Sequence, residues 1–489
     1  MTTDTALYRA YTSRDPRFDG VFYIGVTSTG IYCRPVCTAK TPKEGNCRFF
    51  ESAEAAEKAN FRPCLRCRPE LAPGNAPVDD AHRVAGLLVQ RIDEGMLDSG
   101  AGLERIATEF GWSSRQIRRM LQKELGVSPI ELLQTRRLLL AKQLLTETTL
   151  PITEVAFASG FASLRRFNDA FATRYGMPPS RFRKAAEQAS AQPASPASLT
   201  LQLVYRPPFD WAGVLGFLRL RALKGVERIE DDSYLRTVRL GRHTGWVRVG
   251  HAPQRRALLV ELPHSLTPVL PALLGRLRHA FDLNARPDVI VAQLARDSIL
   301  SDLMMRNPGL RVPGAFDGFE LAVRAILGQQ VSVKAATTLA ARLVEAFGEP
   351  MAMPHQGLTH LTPTPERLAA ATVDEVAGLG IVQTRARSLI AVAEAVAAGQ
   401  LILGAGIAPE AAIARLVALP GIGAWTAHYI AMRALRWPDA FPKEDIALRN
   451  RLGGVSPARA EAMSQAWRPW RSYATLHLWH GAAQSARAG

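Results

Sequence analysis

The 489-residue chain has no cysteine beyond Cys67, although five precede it: Cys33, Cys37, Cys47, Cys64 and Cys67. A cysteine-ligated cluster is thereby excluded from the remaining four-fifths. No run of 18 or more apolar residues occurs, so no spanning helix is expected. The opening residues, MTTDTALYRAYTSRDPRFDG, lack the positive-then-apolar pattern of a secretory signal. A cytosolic protein with no membrane partner is the expectation. Acidic side chains are also short against basic ones, 44 Asp and Glu to 60 Lys and Arg, which leaves a formal charge of +16. The excess is +7 over residues 1–186 and +9 over the rest, so both parts are basic. Such a balance favours a polyanionic partner, nucleic acid or anionic lipid, between which composition does not choose.

What is present amounts to about three folding units by length. Apolar residues at 47% and charged residues at 21% match soluble globular proteins. Punctuation divides the chain. Residues 1–77 are loop-rich and carry all the cysteines, with a strand expected over 21–24 and a helix over 52–59. Residues 78–186 return apolar side chains at three- and four-residue spacing, interrupted at Gly111, Gly126, Pro151, Gly160 and Gly176, which reads as an all-helical domain. Residues 187–198, EQASAQPASPAS, form a linker. Residues 199–285 alternate as strands, with helices at 214–222 and 269–280. Residues 286–489 are helical again, with helices expected over 318–347, 384–398, 408–417 and 424–435. The fold class is therefore multidomain and mainly α: a small α/β cysteine-bearing module, a helical double helix-turn-helix domain, a mixed α+β subdomain and a helical C-terminal domain.

Cys33-Arg-Pro-Val-Cys37 and Cys64-Leu-Arg-Cys67 are two close pairs 26 residues apart, a spacing that suits one tetrahedral Zn2+ because each pair spans one edge of the tetrahedron. Cys47 lies outside both pairs and reads as a packed thiol. Spacing alone does not separate a structural zinc from a reactive one. TGIYCRPVC, NCRFF and FRPCLRCRPE, over residues 7–70, resemble the metal-binding module of the Ada family of methylation-damage regulators. The resemblance implies that Cys33, first of the quartet, accepts a methyl group from a DNA methylphosphotriester. Methylation would remove about one negative charge from a surface facing phosphates and raise DNA affinity.

LERIATEFGWSSRQIRRMLQKELGVSP holds a helix, a turn at Gly111 and a second helix opened by Ser113 as N-cap. ITEVAFASGFASLRRFNDAFATRYGMPPSRFR repeats the layout with Gly160 and Ser163. The two units together resemble the AraC-type DNA-binding domain, which implies that both second helices enter successive major grooves. Arg115, Arg118, Arg165 and Arg166 are the DNA-contact candidates. A regulator of this type is also expected to meet promoter DNA and RNA polymerase.

LPGIGAWTAHYIAMRAL places Gly421 and Gly423 in a tight turn at the start of a helix, where backbone N–H groups can hold a phosphate. An ordinary helix–helix connection would look the same. Beyond the second helix lies FPKEDIALRN, with Asp445 as candidate acid. With RPPFDW, DSYLRTV, GLRVPGAFDGFELAVRAILGQQVSV and WRPWRSYATLHLW, these segments resemble the AlkA-type 3-methyladenine DNA glycosylase of the helix-hairpin-helix superfamily, from about Leu199 almost to the C-terminus. The resemblance implies that Asp445 steadies positive charge on the sugar, and that Trp425, Tyr429 and Trp479 stack on an electron-poor base everted from alkylated double-stranded DNA. Trp467 and Trp470 read as packing, and His428 and His480 as polar neighbours. Gln330 stands at the position of the gap-filling side chain, where the AlkA-type enzyme has an apolar wedge. Trp425 occupies the place of the lyase members' Lys, so no Schiff base is expected. The rival reading is a transcriptional regulator with a structural zinc and a glycosylase-like half that grips damaged DNA without turnover.

Overall fold

The computed structural model describes residues 4–14, 18–19, 22–50, 53–67, 69, 80–93, 102–109, 112–187, 198–404 and 406–488. The turn at Gly111 and most of the linker, 188–197, lie outside these. Two compact units divide the chain, residues 1–88 with 115–128 and residues 89–114 with 129–489.

In the first unit, α1 (Asp4–Thr12) precedes a four-stranded sheet of β1 (Tyr23–Val26), β2 (Ile31–Cys33), β3 (Cys47–Phe50) and β4 (Arg62–Pro63), with α2 (Ala53–Lys58) between the last two. The strand order is β3-β1-β2-β4. Side chains alternate across this sheet: Phe22 and Ile24 pack with Tyr11 and the paired cysteines, while Tyr23 packs with Tyr32, Ala56 and Phe61 on the other face. A Cβ at Gly25 would come within 2.9 Å of the Phe50 and Phe61 rings, so only glycine fits there.

The helices α3 (Asp80–Asp93), α4 (Gly102–Glu109), α5 (Ser114–Leu125), α6 (Pro129–Glu147), α7 (Ile152–Ala158), α8 (Leu164–Tyr175) and α9 (Pro179–Glu187) follow. They lead into an antiparallel sheet of β5 (Ser198–Val204), β6 (Glu227–Glu230), β7 (Ser233–Leu240), β8 (His243–Ala252) and β9 (Ala257–Pro263), with α10 (Trp211–Arg219) after β5 and α11 (Leu270–Ala280) after β9. The strand order is β5-β9-β8-β7-β6, which leaves β5 at an edge.

That edge is covered. Gln143 Nε2 on α6 donates to the Gln202 carbonyl at 2.7 Å, and the Gln202 N–H donates to Glu147 Oε2 at 2.8 Å. Leu138, Leu144, Leu150, Val155 and Phe171 of the helices share one core with Leu199, Leu201, Leu262 and Leu266. An exposed edge strand invites pairing with another chain, and α6 removes the opportunity. Replacing both Gln143 and Glu147 by Ala is expected to cost about 1–3 kcal/mol per lost bond. The thermal midpoint of this unit should fall by several degrees in calorimetry; an unchanged midpoint would mean that the clamp holds nothing.

The helical remainder comprises α12 (Pro287–Leu294), α13 (Ser301–Arg306), α14 (Gly318–Leu327), α15 (Val333–Phe347), α16 (Pro365–Ala369), α17 (Val373–Ala377), α18 (Gln383–Ala397), α19 (Pro409–Val417), α20 (Ala424–Arg433), α21 (Ile446–Arg451), α22 (Pro457–Met463) and α23 (Arg471–Ala488). The single helix expected over 318–347 is thus two, α14 and α15. One face of α20 (Ala427, Ile430, Ala434) enters the core built with α14, α15 and α18, and another (Ala431, Met432) the core built with α12, α21 and α23. Packed on two sides, α20 is the fixed element on which the site is mounted.

Three buried charges, Glu227, Arg236 and Glu320, and the part-buried Arg324 tie the sheet to these helices. Arg236 Nη2 on β7 lies 2.7 Å from Glu320 Oε2 on α14, and Arg324 Nη1 lies 2.8 Å from Glu227 Oε2 and 3.1 Å from Glu320 Oε1. Burial opposes ionisation of Glu227, but the Arg324 and Arg236 guanidinium groups outweigh it and hold its carboxyl at about 2. A depressed carboxyl stabilises the fold above its unfolded value, so this contribution is lost only as pH falls from about 4 towards 2.

Candidate active site and metal centre

The hairpin before α20 is fixed by its glycines. Gly421 has φ +74°, its added Cβ would meet Ser388 Oγ at 2.1 Å, and its carbonyl accepts from Gln329 Nε2 at 3.0 Å. Gly423 differs: it is the N-cap residue of α20 with no side-chain cap, and a Cβ there would meet nothing within 4 Å. The turn requires glycine at 421, whereas Gly423 leaves open ground before an uncapped helix start, a place suited to an anion.

Asp445 sits directly before α21 and serves as its N-cap, Oδ1 accepting from the Leu448 N–H at 2.8 Å. The same oxygen accepts from Trp479 Nε1 at 3.0 Å, and Oδ2 accepts from Trp425 Nε1 at 2.9 Å. Capping and a place in the site are therefore not alternatives here. Three donors hold the carboxylate in one orientation, two of them indoles from α20 and α23. Trp425 and Tyr429, four residues apart on one helix face, stack with ring centroids 5.3 Å apart and planes 7° from parallel. Already in contact, the two rings offer an outer face to a guest rather than a slot between them. Trp479 lies 6.3 Å from Tyr429.

These four residues line a cavity of about 370 Å3 together with Arg221, Arg324 and Arg433, a volume within the range of small-molecule sites. Arg433 Nη1 donates to Tyr429 Oη at 2.7 Å. Arg324 donates to the Arg221 carbonyl, and the Arg221 guanidinium lies over the Phe217 ring at 3.9 Å. The three arginines escape a reading of the sequence. Arg433 is one turn beyond Tyr429 and could have been found from helical spacing, but Arg221 and Arg324 arrive from segments more than 90 residues away.

Gln330 is not among the residues lining the cavity, whose nearby wall is Gly328, Val331 and Val333. It stands exposed in the break between α14 and α15 with φ +53°, a conformation that costs a non-glycine residue about 1–3 kcal/mol. Trp467 is fully buried and donates to Asp297 at 2.9 Å, so it is packing. His428 Nδ1 accepts from the Phe441 N–H at 3.4 Å, and burial lowers its pKa.

In the first unit, β2 delivers Cys33, the turn after it Cys37, and the segment after β4 Cys64 and Cys67. The parallel pairing Ile31↔Arg62 and Tyr32↔Pro63 brings the two halves together, and the Cys64 N–H donates to the Tyr32 carbonyl at 3.0 Å. The four sulfurs lie within 4.8 Å of one another, and all four residues are buried. The Arg34 N–H points at Cys67 Sγ at 3.4 Å. Buried Arg34 is paired with Asp19. Hydrogen bonding between the thiols raises Cys33 while the same contacts, from Cys33 and then Cys67, pull Cys37 down to about 2. Four thiols this close cannot all ionise by themselves, and one divalent cation resolves the conflict. The donor set is that of a single tetrathiolate Zn2+. Cys47 stays outside it, its thiol 3.5 Å from the Lys43 carbonyl.

Arg115 and Arg118 are exposed on α5, whose Ile117, Met120 and Leu121 are buried. Arg165 and Arg166 are exposed on α8, opened by Ser163, whose Oγ accepts from the Arg166 N–H at 3.3 Å. Gly160 makes the turn before α8 with φ +89°.

Two kinds of site are defined by these features, a four-cysteine metal module and a helix-hairpin-helix body that carries an aromatic cavity with a fixed carboxylate in its wall. Four family models match in chain order: metal binding domain of Ada over residues 6–70, helix-turn-helix domain over 106–185, AlkA N-terminal domain over 200–317, and HhH-GPD superfamily base excision DNA repair protein over 323–472. The chain is 40% identical over 477 residues to the "Probable bifunctional transcriptional activator/DNA repair enzyme AlkA" of Mycobacterium tuberculosis, covering 96% of this chain and 95% of that one. It belongs to that family. Its second part is 38% identical over 278 residues to DNA-3-methyladenine glycosylase 2 of Escherichia coli, covering 57% of this chain and 96% of that one. Its first part is 33% identical over 186 residues to the bifunctional transcriptional activator/DNA repair enzyme AdaA of Bacillus subtilis, covering 38% and 84%. The 3-methyladenine DNA-glycosylase from Archaeoglobus fulgidus superposes with a TM-score of 0.50 at 21% identity, over 58% of this chain and 98% of that one, a likeness of fold.

Proposed function

We propose that the chain couples repair of alkylated DNA to control of transcription: its second part is a monofunctional glycosylase excising 3-methyladenine and related alkylated bases, and its first part is a regulator that takes a methyl group from a DNA methylphosphotriester onto Cys33. The observation that carries the glycosylase reading is the Asp445 carboxylate, held by two indole N–H donors in the wall of the aromatic cavity. As the C1′–N bond of an everted nucleotide lengthens, positive charge grows on the sugar and the fixed carboxylate opposes it. Trp425, Tyr429 and Trp479 take the cationic base, each ring face contributing about 0.5–2 kcal/mol. Gly421 and Gly423 present the start of α20 to a phosphate, and Gln330 fills the gap in the duplex from outside the cavity. Incubating the protein with alkylated duplex DNA should release free 3-methyladenine; no release of free base would refute this half.

In the regulator, Cys33 Sγ attacks the methyl carbon in line, the S–C bond forming as the O–C bond to the phosphate breaks and a diester leaves. Zinc held by Cys33, Cys37, Cys64 and Cys67 would keep that sulfur anionic at neutral pH. The methylated cysteine no longer carries its charge, and the module binds DNA more firmly at promoters, in the bacterial cytosol and alongside RNA polymerase. Mass spectrometry after exposure to methylated DNA should show one added methyl group on Cys33.

Arg115, Arg118, Arg165 and Arg166 contact DNA in this reading. Each Arg→Ala change that removes a phosphate contact is expected to flatten the slope of log affinity against log salt by about 0.9. A change that removes a base contact should instead relax sequence preference at one position. Titrations at several salt concentrations separate the two, and four slopes equal to wild type with unaltered preference would place these residues off the DNA.

A further inference from the structure

Between α14 and α15 the chain fixes a strained residue from both sides. Gln330 has φ +53°, and a left-handed backbone at a residue other than glycine persists only where its surroundings impose it. On one side, Gln329 Nε2 donates to the Gly421 carbonyl and to Thr426 Oγ1, both at 3.0 Å, and Arg385 on α18 donates to the Gln329 carbonyl. A primary amide has two N–H donors, and here both are used. On the other side Ser332 caps α15, its Oγ accepting from the Ala335 N–H at 3.2 Å. Gln330 itself is exposed, and its amide makes no hydrogen bond among the described residues.

The amide is thus uncommitted while the backbone beneath it is locked to the hairpin at Gly421. We propose that Gln330 is a specificity-determining residue: where the AlkA-type enzyme has an apolar wedge, its amide hydrogen-bonds the partner base left behind by eversion, and Gln329 is the residue that positions it. The assignment rests on the glycosylase function and the gap-filling role proposed above. An apolar side chain fills a gap by contact alone and treats every partner base alike. A base that has lost its partner still carries the donors and acceptors of its pairing edge, and each one left unsatisfied inside the stack costs free energy. The amide brings two donors and a carbonyl acceptor to that edge. Eversion is then favoured at both ends, because the lesion gains the cavity and its former partner gains Gln330. One side chain, Gln329, ties this residue to the Gly421 turn and to the start of α20, so the hairpin's hold on a phosphate sets how far the amide enters the duplex.

The test compares partner bases. Single-turnover release of 7-methylguanine is measured from duplexes in which the lesion faces thymine or difluorotoluene, which copies the outline of thymine without its strong donors and acceptors. The thymine rate divided by the difluorotoluene rate is then compared between wild type and Gln330→Leu, which cancels the ease of opening each duplex. The wild-type ratio is expected to exceed the Gln330→Leu ratio on the order of 10-fold, the worth of one or two hydrogen bonds. Gln329→Met keeps the side chain's length and removes both donors, so it should lose the same preference although residue 330 is unchanged. Adding Gln330→Leu to it should lower the ratio no further, as expected of residues that act as one unit. A general loss of fold lowers both rates and leaves the ratio alone. Equal ratios in wild type and Gln330→Leu would make Gln330 a spacer that any side chain could replace, and a Gln329→Met protein with the wild-type ratio would remove the positioning role. Either result leaves the glycosylase intact, whereas a wild-type protein that releases no 7-methylguanine opposite either partner defeats the glycosylase reading itself.

Discussion

Asp445→Asn should slow base release by at least 10²–10³-fold, about 2.7–4 kcal/mol, the scale on which removal of one fixed electrostatic partner acts on a transition state. The substitution is nearly isosteric, and an Asn oxygen can still accept from the Leu448 N–H, so α21 keeps its cap. What changes is the charge, and with it one contact, because an amide NH2 must face an indole N–H where both carboxylate oxygens now accept from Trp425 and Trp479. The carboxylate acts on a charge that exists only as the glycosidic bond breaks, so kcat and kcat/KM should fall together. Trp425→Phe and Trp479→Phe keep a ring but delete a donor to the anion, and each should lose less than Asp445→Asn does. Single-turnover release at neutral pH measures all three, and an Asp445→Asn rate within a few-fold of wild type would remove the anion from the mechanism.

That geometry shows where a reading of residues succeeds and where it stops. The cysteine quartet is legible because tetrahedral ligation imposes a spacing that few other needs produce. Trp425 and Tyr429 are legible as one face of a helix because periodicity fixes faces. Periodicity does not fix ring orientation, so neither the Trp425–Tyr429 stack nor the hydrogen bonds from both indoles to Asp445 can be read from the residues. The break at 328–332 is invisible because the apolar pattern of α14 continues in α15; the left-handed Gln330 stands exposed beside Gln329, whose side chain is tied to the Gly421 carbonyl and Thr426. Arg221 and Arg324 carry no local signal, since an arginine on a helix is ordinarily a solvated face. The segment around 187–198 separates two patterns in sequence, yet α6 and β5 on either side of it share a core, through contacts between Gln143, Glu147 and Gln202 that only the chain's return path creates.

Removing zinc should unfold the cysteine module and spare the glycosylase. The core around the metal site consists of Ala10, Tyr11, Phe22 and Ile24 together with the four cysteines themselves, too little apolar surface to hold so small a fold. Metal binding at such sites supplies roughly 10–16 kcal/mol in small zinc peptides near pH 7, which makes it the main source of stability rather than an addition to it. Without the cation the buried sulfurs, within 4.8 Å of one another, must bind protons or repel, and the junction of β2 with β4 loses its clamp. Chelation, or Cys37→Ser and Cys67→Ser singly, should therefore open residues 22–67 to proteolysis and abolish their cooperative melting. Because thiolates bind the metal and thiols do not, acid should release it by proton competition, and the module should weaken as pH falls. Base release from alkylated DNA should survive the same treatment, since Asp445 and the aromatic cavity lie in the other compact unit. A chelated protein whose first 67 residues keep full protease resistance would show that the cysteines pack well enough without metal, and would return the site from a stabilising centre to a purely chemical one.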